Sequence, residues 1–393
     1  MKVLFDARWI YEKPSGIGVY AREMMLRLPR LLAEDRFVFL FNDEALRDRL
    51  MAGVAECRNV DAQVVPYGPL SLRNQFSMPS ELRRIGADLF HSPNYMIPFS
   101  AFSPQGRRAT KCLVNIHDVI PLVVSDYAPN SRTSRYKGIF RQCLKNSVIR
   151  ADAVITGSEA SRVDMVASLR LKPKQTDKIR VVYDGPGGQF DVHEHAPFVT
   201  DETTPRTLLY VGRMDPYKNV TGLVEALALA KKRLDFPLQM IVCGPVDDRY
   251  PEARELAVKL GVADDVRFTG FVSDDDLSEF YRTADLLTHS SRYEGFGLQL
   301  VEAMRSGLPV CCTDGGSQPE IVGDAGMIVK AGDALAMADA IAAVLSSPAK
   351  MEAMKVAGLA RATRFDWAVC AQETAALYQE LVPKVVKQRI KRK

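Results

Sequence analysis

The chain has 393 residues, of which 47% are hydrophobic and 25% are charged, and a formal net charge of +4. This length accommodates two or three domains, and the composition excludes a collagen, a coiled coil or a wholly disordered chain. Residues 384–393 carry six basic side chains and no acid, which leaves a net charge of −2 for residues 1–383. The basic excess therefore belongs to one segment, and we expect no nucleic-acid partner.

Seven scattered cysteines form no C-x-x-C motif, and several lie in apolar runs. We interpret them as reduced core residues of a cytoplasmic protein. The first residues, Met1-Lys-Val-Leu-Phe-Asp6, meet an acid after three apolar residues, which predicts a strand and not a signal peptide. No uncharged apolar run approaches the ~20 residues that span a bilayer, so we expect no membrane crossing.

Short apolar runs without inner alternation are separated by segments of helical period, such as Val19–Leu32 and Glu159–Leu169. This pattern predicts parallel strands covered by helices on both faces. The predicted strands are Lys2–Ala7, Phe37–Phe41, Ala87–His91, Cys112–His117, Ala153–Thr156, Ile179–Tyr183, Thr207–Val211, Gln239–Cys243, Val266–Phe268, Leu286–Thr288, Val310–Cys312 and Met327–Val329.

A polar stretch rich in Gly and Pro interrupts the alternation after residue 183. We predict an α/β fold of two facing, Rossmann-like, doubly wound parallel-sheet domains, residues 1–190 and 206–371, joined by a linker at 191–205. A helical pattern at Asp366–Leu381 follows. The cleft between two such domains is the expected ligand site.

The segment Ser15-Gly-Ile-Gly18, with Ala21, matches G-x-G-x-x-A at the start of the first helix. Three interpretations stay open: a flexible loop before a helix, a site that binds an anion or acceptor through backbone amides, and an NAD site. In the second half, Arg213 and Lys218 follow a strand end and form a candidate phosphate clamp.

Glu294-Gly-Phe-Gly-Leu-Gln-Leu-Val-Glu302 places two carboxylates on either side of a Gly-x-Gly turn. Leu298–Arg305 has a helical pattern, so the amides of Phe296, Gly297 and Leu298 are expected at a helix N-terminus that attracts negative charge. Asp274-Asp-Asp276 follows Ser273 and predicts a capped helix start more than a metal site.

The histidines are divided by position. His117 follows a buried strand and is a candidate site residue, and His91 ends a strand that we expect to face the cleft. We expect His193 and His195 to form a solvated pair and His289 to be structural.

These motifs together resemble those of the family-4 retaining glycosyltransferases of the GT-B fold. The resemblance covers nearly the whole chain and is carried by Gly16-Ile-Gly18, Ile116-His-Asp-Val-Ile-Pro121, Thr156-Gly-Ser158, Val211-Gly-Arg213, Phe268-Thr-Gly-Phe271, Ser290–Glu302, Ala303-Met-Arg-Ser-Gly-Leu-Pro309 and Pro319-Glu320. It implies an acceptor-binding first domain, a nucleotide-sugar-binding second domain, and a closing helix, about 372–393, that crosses back to the first domain.

By this resemblance, Glu294 and His117 would be the catalytic residues beside the transferred sugar. Arg213, Lys218, Gly16, Phe296, Gly297 and Leu298 would hold the donor diphosphate, Glu302 the ribose, and Gly18 and His91 the acceptor. The resemblance implies no metal and no cofactor, only a nucleotide-sugar co-substrate. The expected donor is GDP-mannose, with UDP-sugars left open, and the expected acceptor is a glycan or a lipid-linked glycan.

The segment Arg135–Ile149 contains no acid and places Lys137, Arg141 and Lys145 on one helical face. It is either a surface helix packed on the core or a basic face near anionic lipid or a lipid-linked diphosphate acceptor. The alternatives of other classes are an NAD-dependent oxidoreductase, which leaves Glu294–Glu302 without a role, and a sugar-nucleotide-binding protein without turnover.

Overall fold

A computed structural model of the protein describes residues 1–12, 15–105, 108–125, 127–129, 131–187, 195–198, 201–245 and 247–383. Within these residues the first sheet has the strand order β3-β2-β1-β4-β5-β6-β7, and all its pairs are parallel. Its strands are β1 Lys2–Asp6, β2 Arg36–Phe41, β3 Val60–Val64, β4 Leu89–Ser92, β5 Lys111–Asn115, β6 Ala153–Thr156 and β7 Ile179–Val181.

The second sheet is also parallel, with the order β10-β9-β8-β11-β12-β13 in the described residues. Its strands are β8 Arg206–Val211, β9 Leu238–Cys243, β10 Val266–Gly270, β11 Leu286–His289, β12 Val310–Thr313 and β13 Met327–Val329. The strand order reverses beside β1 in the first sheet and beside β8 in the second. Each reversal leaves a crevice at the carboxyl ends of the strands, where ligands bind in such folds.

Helices cover both sheets. The first domain contains α1 Gly16–Leu31, α2 Glu44–Ala52, α3 Leu72–Ile85, α4 Ile120–Val123, α5 Arg132–Arg135, α6 Lys137–Arg150, α7 Glu159–Leu169 and α8 Pro173–Thr176. The later helices are α9 Val220–Ala230, α10 Glu252–Lys259, α11 Asp274–Thr283, α12 Leu298–Arg305, α13 Gln318–Val322, α14 Ala334–Leu345, α15 Pro348–Ala362 and α16 Trp367–Leu381. Short 3₁₀ turns occur at Ala7–Trp9, Pro216–Lys218, Ala263–Asp265 and Gly323–Ala325.

The predicted α/β class of two parallel-sheet domains is confirmed, and each predicted strand is found with its ends within two residues. β3 was not predicted because two of the five residues in its sequence Val-Asp-Ala-Gln-Val are polar and it lies at a sheet edge, where its side chains are partly exposed. The predicted cap at Ser273 is confirmed, since its side chain accepts from the Asp276 N–H at the start of α11.

The closing helix α16 returns to the first domain. Its residues Trp367, Cys370, Ala371 and Tyr378 are buried in one core with side chains of α1 and β1, and the Trp367 indole donates to the carbonyl of Pro186. The chain therefore passes between the two domains a second time, where α16 returns from the second domain to the first. The basic segment 384–393 and much of the predicted linker lie outside the described residues.

All seven cysteines are free thiols; five of them are buried as predicted, whereas Cys57 and Cys143 are half-buried. Among the described residues no single helix is long and apolar enough to cross a membrane; only the bent combination of Ala334–Leu345 with Pro348–Leu381 meets the length and composition criteria.

Candidate active site

The loops that carry the predicted site residues come together at the two crevices where the strand order reverses. Arg213 and Lys218 follow β8, and Glu294 follows the neighbouring strand β11. Across the cleft, His117 and Asp118 follow β5 of the first sheet. Gly295 lies against Asp118: a Cβ atom on Gly295 would be 2.6 Å from the Asp118 Cβ. Only glycine allows this approach, so the loop that carries Glu294 touches the first domain.

Glu294 is a buried carboxylate with two nitrogen partners. Its Oε1 lies 2.5 Å from Lys218 Nζ and 2.7 Å from His289 Nε2. The Lys218 side chain is itself only 11% exposed. The His289 ring is fully buried and stacks on the Tyr210 ring, with 5.6 Å between centroids. These contacts hold the carboxylate in one orientation at the mouth of the crevice.

Burial alone would raise the pKa of Glu294, but the Lys218 ammonium and His289 outweigh it and hold this pKa well below its usual range. Burial would likewise lower the pKa of Lys218, and the Glu294 carboxylate outweighs this and raises it. Burial lowers the pKa of His289. The site therefore holds an ionised carboxylate and an ammonium beside a neutral imidazole at neutral pH.

Two helix N-termini converge next to this cluster. α12 begins at Leu298 after Gly297, whose φ of 95° is in the left-handed region. Gly16, the first residue of α1, lies against Leu298, since a Cβ there would be 3.8 Å from Leu298 Cδ1. The starts of the two helices, each with a partial positive charge, therefore lie next to each other.

Arg213 lies at the edge of the same crevice, and its half-exposed side chain pairs with Asp215, with 2.9 Å between Nη2 and Oδ2. The structure thus brings together Glu294, Lys218, Arg213, Gly16 and the start of α12, which the sequence analysis assigned to one donor site.

Glu302 lies farther along α12. Its Oε2 accepts from the Tyr281 hydroxyl at 2.8 Å, and its Oε1 accepts from the Gly187 N–H at 3.4 Å. Burial raises the pKa of Glu302. Tyr281 is on α11 and Gly187 is in the connection between the domains, so this carboxylate lies where three segments meet and can receive a pair of hydroxyl groups.

On the opposite wall, His117 is half-buried and stacks edge-on against the Tyr20 ring, with 5.2 Å between centroids. Its Nε2 lies 3.0 Å from the Pro93 carbonyl, which fixes the ring orientation. Asp184 is buried nearby, and burial raises its pKa to about 6 despite the opposing effect of His117. An imidazole and a buried carboxyl group with a raised pKa thus line the first-domain side.

The start of α7 joins the two domains. The Glu320 carboxylate of the second domain accepts the N–H groups of Glu159 at 2.9 Å and Ala160 at 3.1 Å, and the Tyr183 hydroxyl at 2.9 Å. The hydroxyls of Ser158 and Ser161 donate to the Gly295 carbonyl at 2.6 and 3.0 Å. One helix N-terminus therefore holds both α13 and the loop that carries Glu294.

The structure corrects three assignments. His91 does not face the cleft: its ring is fully buried, and its nitrogens bond to the Tyr378 hydroxyl at 2.6 Å and to Asn115 Oδ1 at 2.7 Å. Gly18 is buried in α1, and its N–H donates to Ser15 Oγ at 3.1 Å. Neither residue can contact an acceptor directly. His195 is buried against the Ala284 carbonyl and not solvated; His193 lies outside the described residues.

Sequence reasoning missed three residues of the site. His289 was treated as structural, although it ends β11 five residues before Glu294, a position that places it at the sheet switch point. Tyr281 carried no comparable signal, and Glu320 appeared only within the Pro319-Glu320 motif without a role, because the partners of both residues are far away in the sequence.

Two families match the chain. Residues 14–185 match Glycosyltransferase Family 4, and residues 192–361 match Glycosyl transferases group 1. The chain is 28% identical to O-antigen chain mannosyltransferase B of Escherichia coli over 97% of its own length and 100% of the relative's. The protein therefore belongs to the family-4 glycosyltransferases and is mannosyltransferase-like.

Solved structures agree on the fold. Sucrose-phosphate synthase from Thermosynechococcus elongatus matches with a TM-score of 0.74 at 20% identity, covering 97% of this chain and 98% of that one. Anabaena HepE in complex with UDP-glucose matches with a TM-score of 0.71 at 19% identity, covering 97% and 100%. The fold of the protein is the two-domain GT-B fold.

Proposed function

We propose that the protein transfers a mannosyl group from GDP-mannose, with retention of configuration, to a glycan or lipid-linked acceptor in cell-surface polysaccharide synthesis. The observation that carries this proposal is the buried Glu294 carboxylate, fixed by Lys218 and His289 beside the N-terminus of α12. Similarity to the O-antigen mannosyltransferase along the whole chain supports mannose as the sugar and a surface glycan as the product.

The cluster suits a reaction in which a nucleoside diphosphate leaves. Negative charge grows on the diphosphate as the glycosidic bond breaks, and preorganised positive groups stabilise it most in the transition state. The positive groups at this site are Lys218, Arg213 and the helix starts at Gly16 and Leu298. Because they supply the needed charge, we propose that the transfer requires no metal ion.

Positive charge grows on the sugar ring at the same time. Glu294 is held ionised, so its carboxylate can accept from sugar hydroxyls and stabilise that charge. His117, fixed by the Pro93 carbonyl on the facing wall, lies on the acceptor side. We propose that Glu302 binds the ribose hydroxyls after exchanging the hydroxyl of Tyr281 for them.

We further propose a front-face mechanism, in which the acceptor attacks from the face that the diphosphate leaves, so that the configuration is retained without a covalent glycosyl-enzyme. We propose that a phosphate oxygen of the donor accepts the proton of the acceptor hydroxyl. Both substrates then share the cleft, with the acceptor against the first domain. The reaction is proposed to take place in the cytoplasm, at the inner face of the membrane where a lipid-linked acceptor is anchored.

A thermal-shift screen of GDP-, UDP-, ADP- and dTDP-sugars tests the donor. GDP-mannose at about 100 times its dissociation constant should stabilise the protein by about 2.7 kcal/mol, and the other sugars should not. The retained configuration is tested by NMR of the product formed from α-linked donor, and metal independence by transfer in EDTA. A β-linked product would overturn retention, and activity that only Mn²⁺ or Mg²⁺ restores would overturn the charge argument.

A further inference from the structure

The start of α3 presents large apolar side chains to solvent. Phe76 and Leu72 are 80% and 79% exposed, the highest values for large hydrophobic side chains in the described part of the chain, and Leu70 just before the helix is 60% exposed. Leu72 and Phe76 are four residues apart and therefore share one helical face. The other face is the core face, where Met78 and Leu82 are buried. α3 therefore has two apolar faces: the face with Met78 and Leu82 packs on the core, and the face with Leu72 and Phe76 is exposed to solvent.

The charges around this face are basic. Arg73 lies between the two apolar residues, and Arg83 and Arg84 are exposed at the end of the helix. Glu81, the one acid in the sequence of α3, is paired with Arg84 at 2.7 Å. Exposed Leu and Phe flanked by arginine are the chemistry of a surface that lies in the interface of an anionic bilayer.

A second helical segment with exposed apolar side chains contacts the same loop as α3, the loop that contains Tyr95, Ile97 and Phe99. On α5–α6, Tyr136 and Ile139 are exposed, and the sequence from 131 to 150 contains no acid. Gln75 of α3 bonds to Ile97 and Phe99 of the loop at 3.1 and 2.8 Å. On the α6 side, Ser147 donates to the carbonyl of Tyr95 in that loop. Both helices that carry exposed apolar groups are therefore bonded to one loop of the first domain.

This region adjoins the part of the cleft proposed for the acceptor. The buried Arg8 guanidinium bonds to both carboxylate oxygens of Asp6 at 2.7 Å and to Asn74 Oδ1 at 2.9 Å. Asp6 ends β1, and Asn74 is in the first turn of α3. The ion pair thus fixes the exposed end of α3 beside the carboxyl end of β1, on the chain path that leads to Gly16.

We propose that Leu70, Leu72, Arg73 and Phe76, here called the α3 docking surface, insert into the interface of an anionic phospholipid bilayer. The bilayer is favoured over a protein partner because the apolar groups are surrounded by arginine and lysine with one paired acid on α3 and none on α5–α6. The part of this proposal that places the membrane beside a lipid-linked acceptor rests on the proposed function. Binding to the bilayer itself does not depend on catalysis.

The test is co-sedimentation of the full chain with vesicles of equal parts phosphatidylglycerol and phosphatidylethanolamine. The variant Leu72→Ser/Phe76→Ser is compared with wild type and with Val258→Ser/Val356→Ser, which changes two exposed valines of α10 and α15 in the second domain. Binding is measured in low salt and in about 1 M salt, where a Debye length of about 3 Å screens basic segments such as 384–393. The α3 variant should bind ~10- to 100-fold more weakly in both, because two apolar side chains no longer leave water.

Phe76→Trp gives a second measurement, since Trp9 and Trp367 are both buried. Its fluorescence should shift to the blue on addition of the vesicles, and this holds even if the serine variant folds poorly. The proposal would be overturned if the α3 variant bound vesicles as strongly as wild type, or if Phe76→Trp showed no blue shift. It would also be overturned if light scattering showed a change of oligomeric state in the α3 variant without a change in vesicle binding. Hydrolysis of GDP-mannose without vesicles is scored separately: its absence in wild type would sink the proposed function and leave the bilayer result standing.

Discussion

Lys218 Nζ lies 2.5 Å from Glu294 Oε1, and both side chains are nearly inaccessible to solvent. The cation proposed for the donor diphosphate is therefore already partnered by the carboxylate proposed for the sugar. In the proposed complex the donor would present its diphosphate to Lys218 and its sugar hydroxyls to Glu294, so each partner would gain a new contact. The ion pair would then connect the groups on either side of the bond that breaks.

This pair makes a double-mutant prediction. Lys218→Met and Glu294→Gln should each lower the free energy of unfolding by about 3–5 kcal/mol, because each leaves the opposite charge buried without its partner. The double variant should be more stable than either single variant, since neither charge remains. Urea unfolding of the four proteins measures the coupling. Strict additivity of the two losses would show that the side chains do not interact.

The two glutamates should differ in kinetics. Glu302 is proposed to bind the ribose, which does not react, so Glu302→Gln should raise KM for the donor and weaken binding of bare GDP. Glu294→Gln should lower kcat and hardly change GDP affinity, because GDP has no sugar. Each effect should be about 10- to 100-fold, the size of a charge-assisted hydrogen bond.

Calorimetry with GDP and steady-state kinetics with GDP-mannose separate the two cases. Because Glu294→Gln also removes the partner of Lys218, Lys218→Met is measured beside it. Lys218→Met should weaken binding of GDP, since it removes the cation proposed for the diphosphate, whereas Glu294→Gln should not. Equal losses of GDP affinity in Glu294→Gln and Glu302→Gln would mean that the roles are wrongly assigned.

The strands and the loop that carries Glu294 could be predicted from local sequence patterns. Buried parallel strands are short, apolar and bounded by polar turns, so their order along the chain is visible. The Glu294–Glu302 spacing likewise reveals a loop followed by a helix. Edge strand β3 shows no such pattern, because its side chains are partly exposed along its whole length and include two polar residues.

Contacts between distant segments could not be predicted in this way. His91 ends β4 as expected, but it is buried because Tyr378 of α16, 287 residues away, covers it. The bond between Glu320 and Glu159 spans 161 residues and exists only when the domains meet. Single-sequence patterns describe neighbours along the chain, whereas these contacts depend on how the two domains and α16 pack.

That interdomain contact predicts a change in donor affinity. Glu320→Gln removes the negative charge from the start of α7, where a carboxylate is stabilised by two N–H groups and the helix dipole. The arrangement in which Glu320 contacts the start of α7 should become less populated. If donor binds only to that arrangement, the apparent donor KM should rise by up to about tenfold with kcat at saturation unchanged, since affinity scales with the competent fraction. Small-angle X-ray scattering should show a larger radius of gyration.

The control is Glu352→Gln on α15, an exposed glutamate away from the domain contact. It removes the same charge and should leave both KM and the radius unchanged. A fall in kcat of Glu320→Gln at unchanged KM would instead place Glu320 in the chemical step.

The last prediction concerns pH and Asp184. Burial raises the pKa of this carboxyl from 3.8 to about 6, so between these values the folded protein holds a proton that the unfolded chain has released. Stability from this group is therefore full below about pH 4 and is lost as the pH rises to about 6, by about 3 kcal/mol. Asp184→Asn cannot ionise and should remove this slope.

Thermal unfolding of wild type, Asp184→Asn and the exposed control Asp177→Asn from about pH 4 to about pH 8 measures the effect. The unfolding temperature of Asp184→Asn relative to wild type should rise with pH and level off above about pH 6, because the wild-type protein then carries a buried charge and the variant does not. The same difference for Asp177→Asn should stay flat. A difference for Asp184→Asn that falls with rising pH would mean that the carboxylate is stabilised in the folded protein, by His117 or by a group of the connection between the domains.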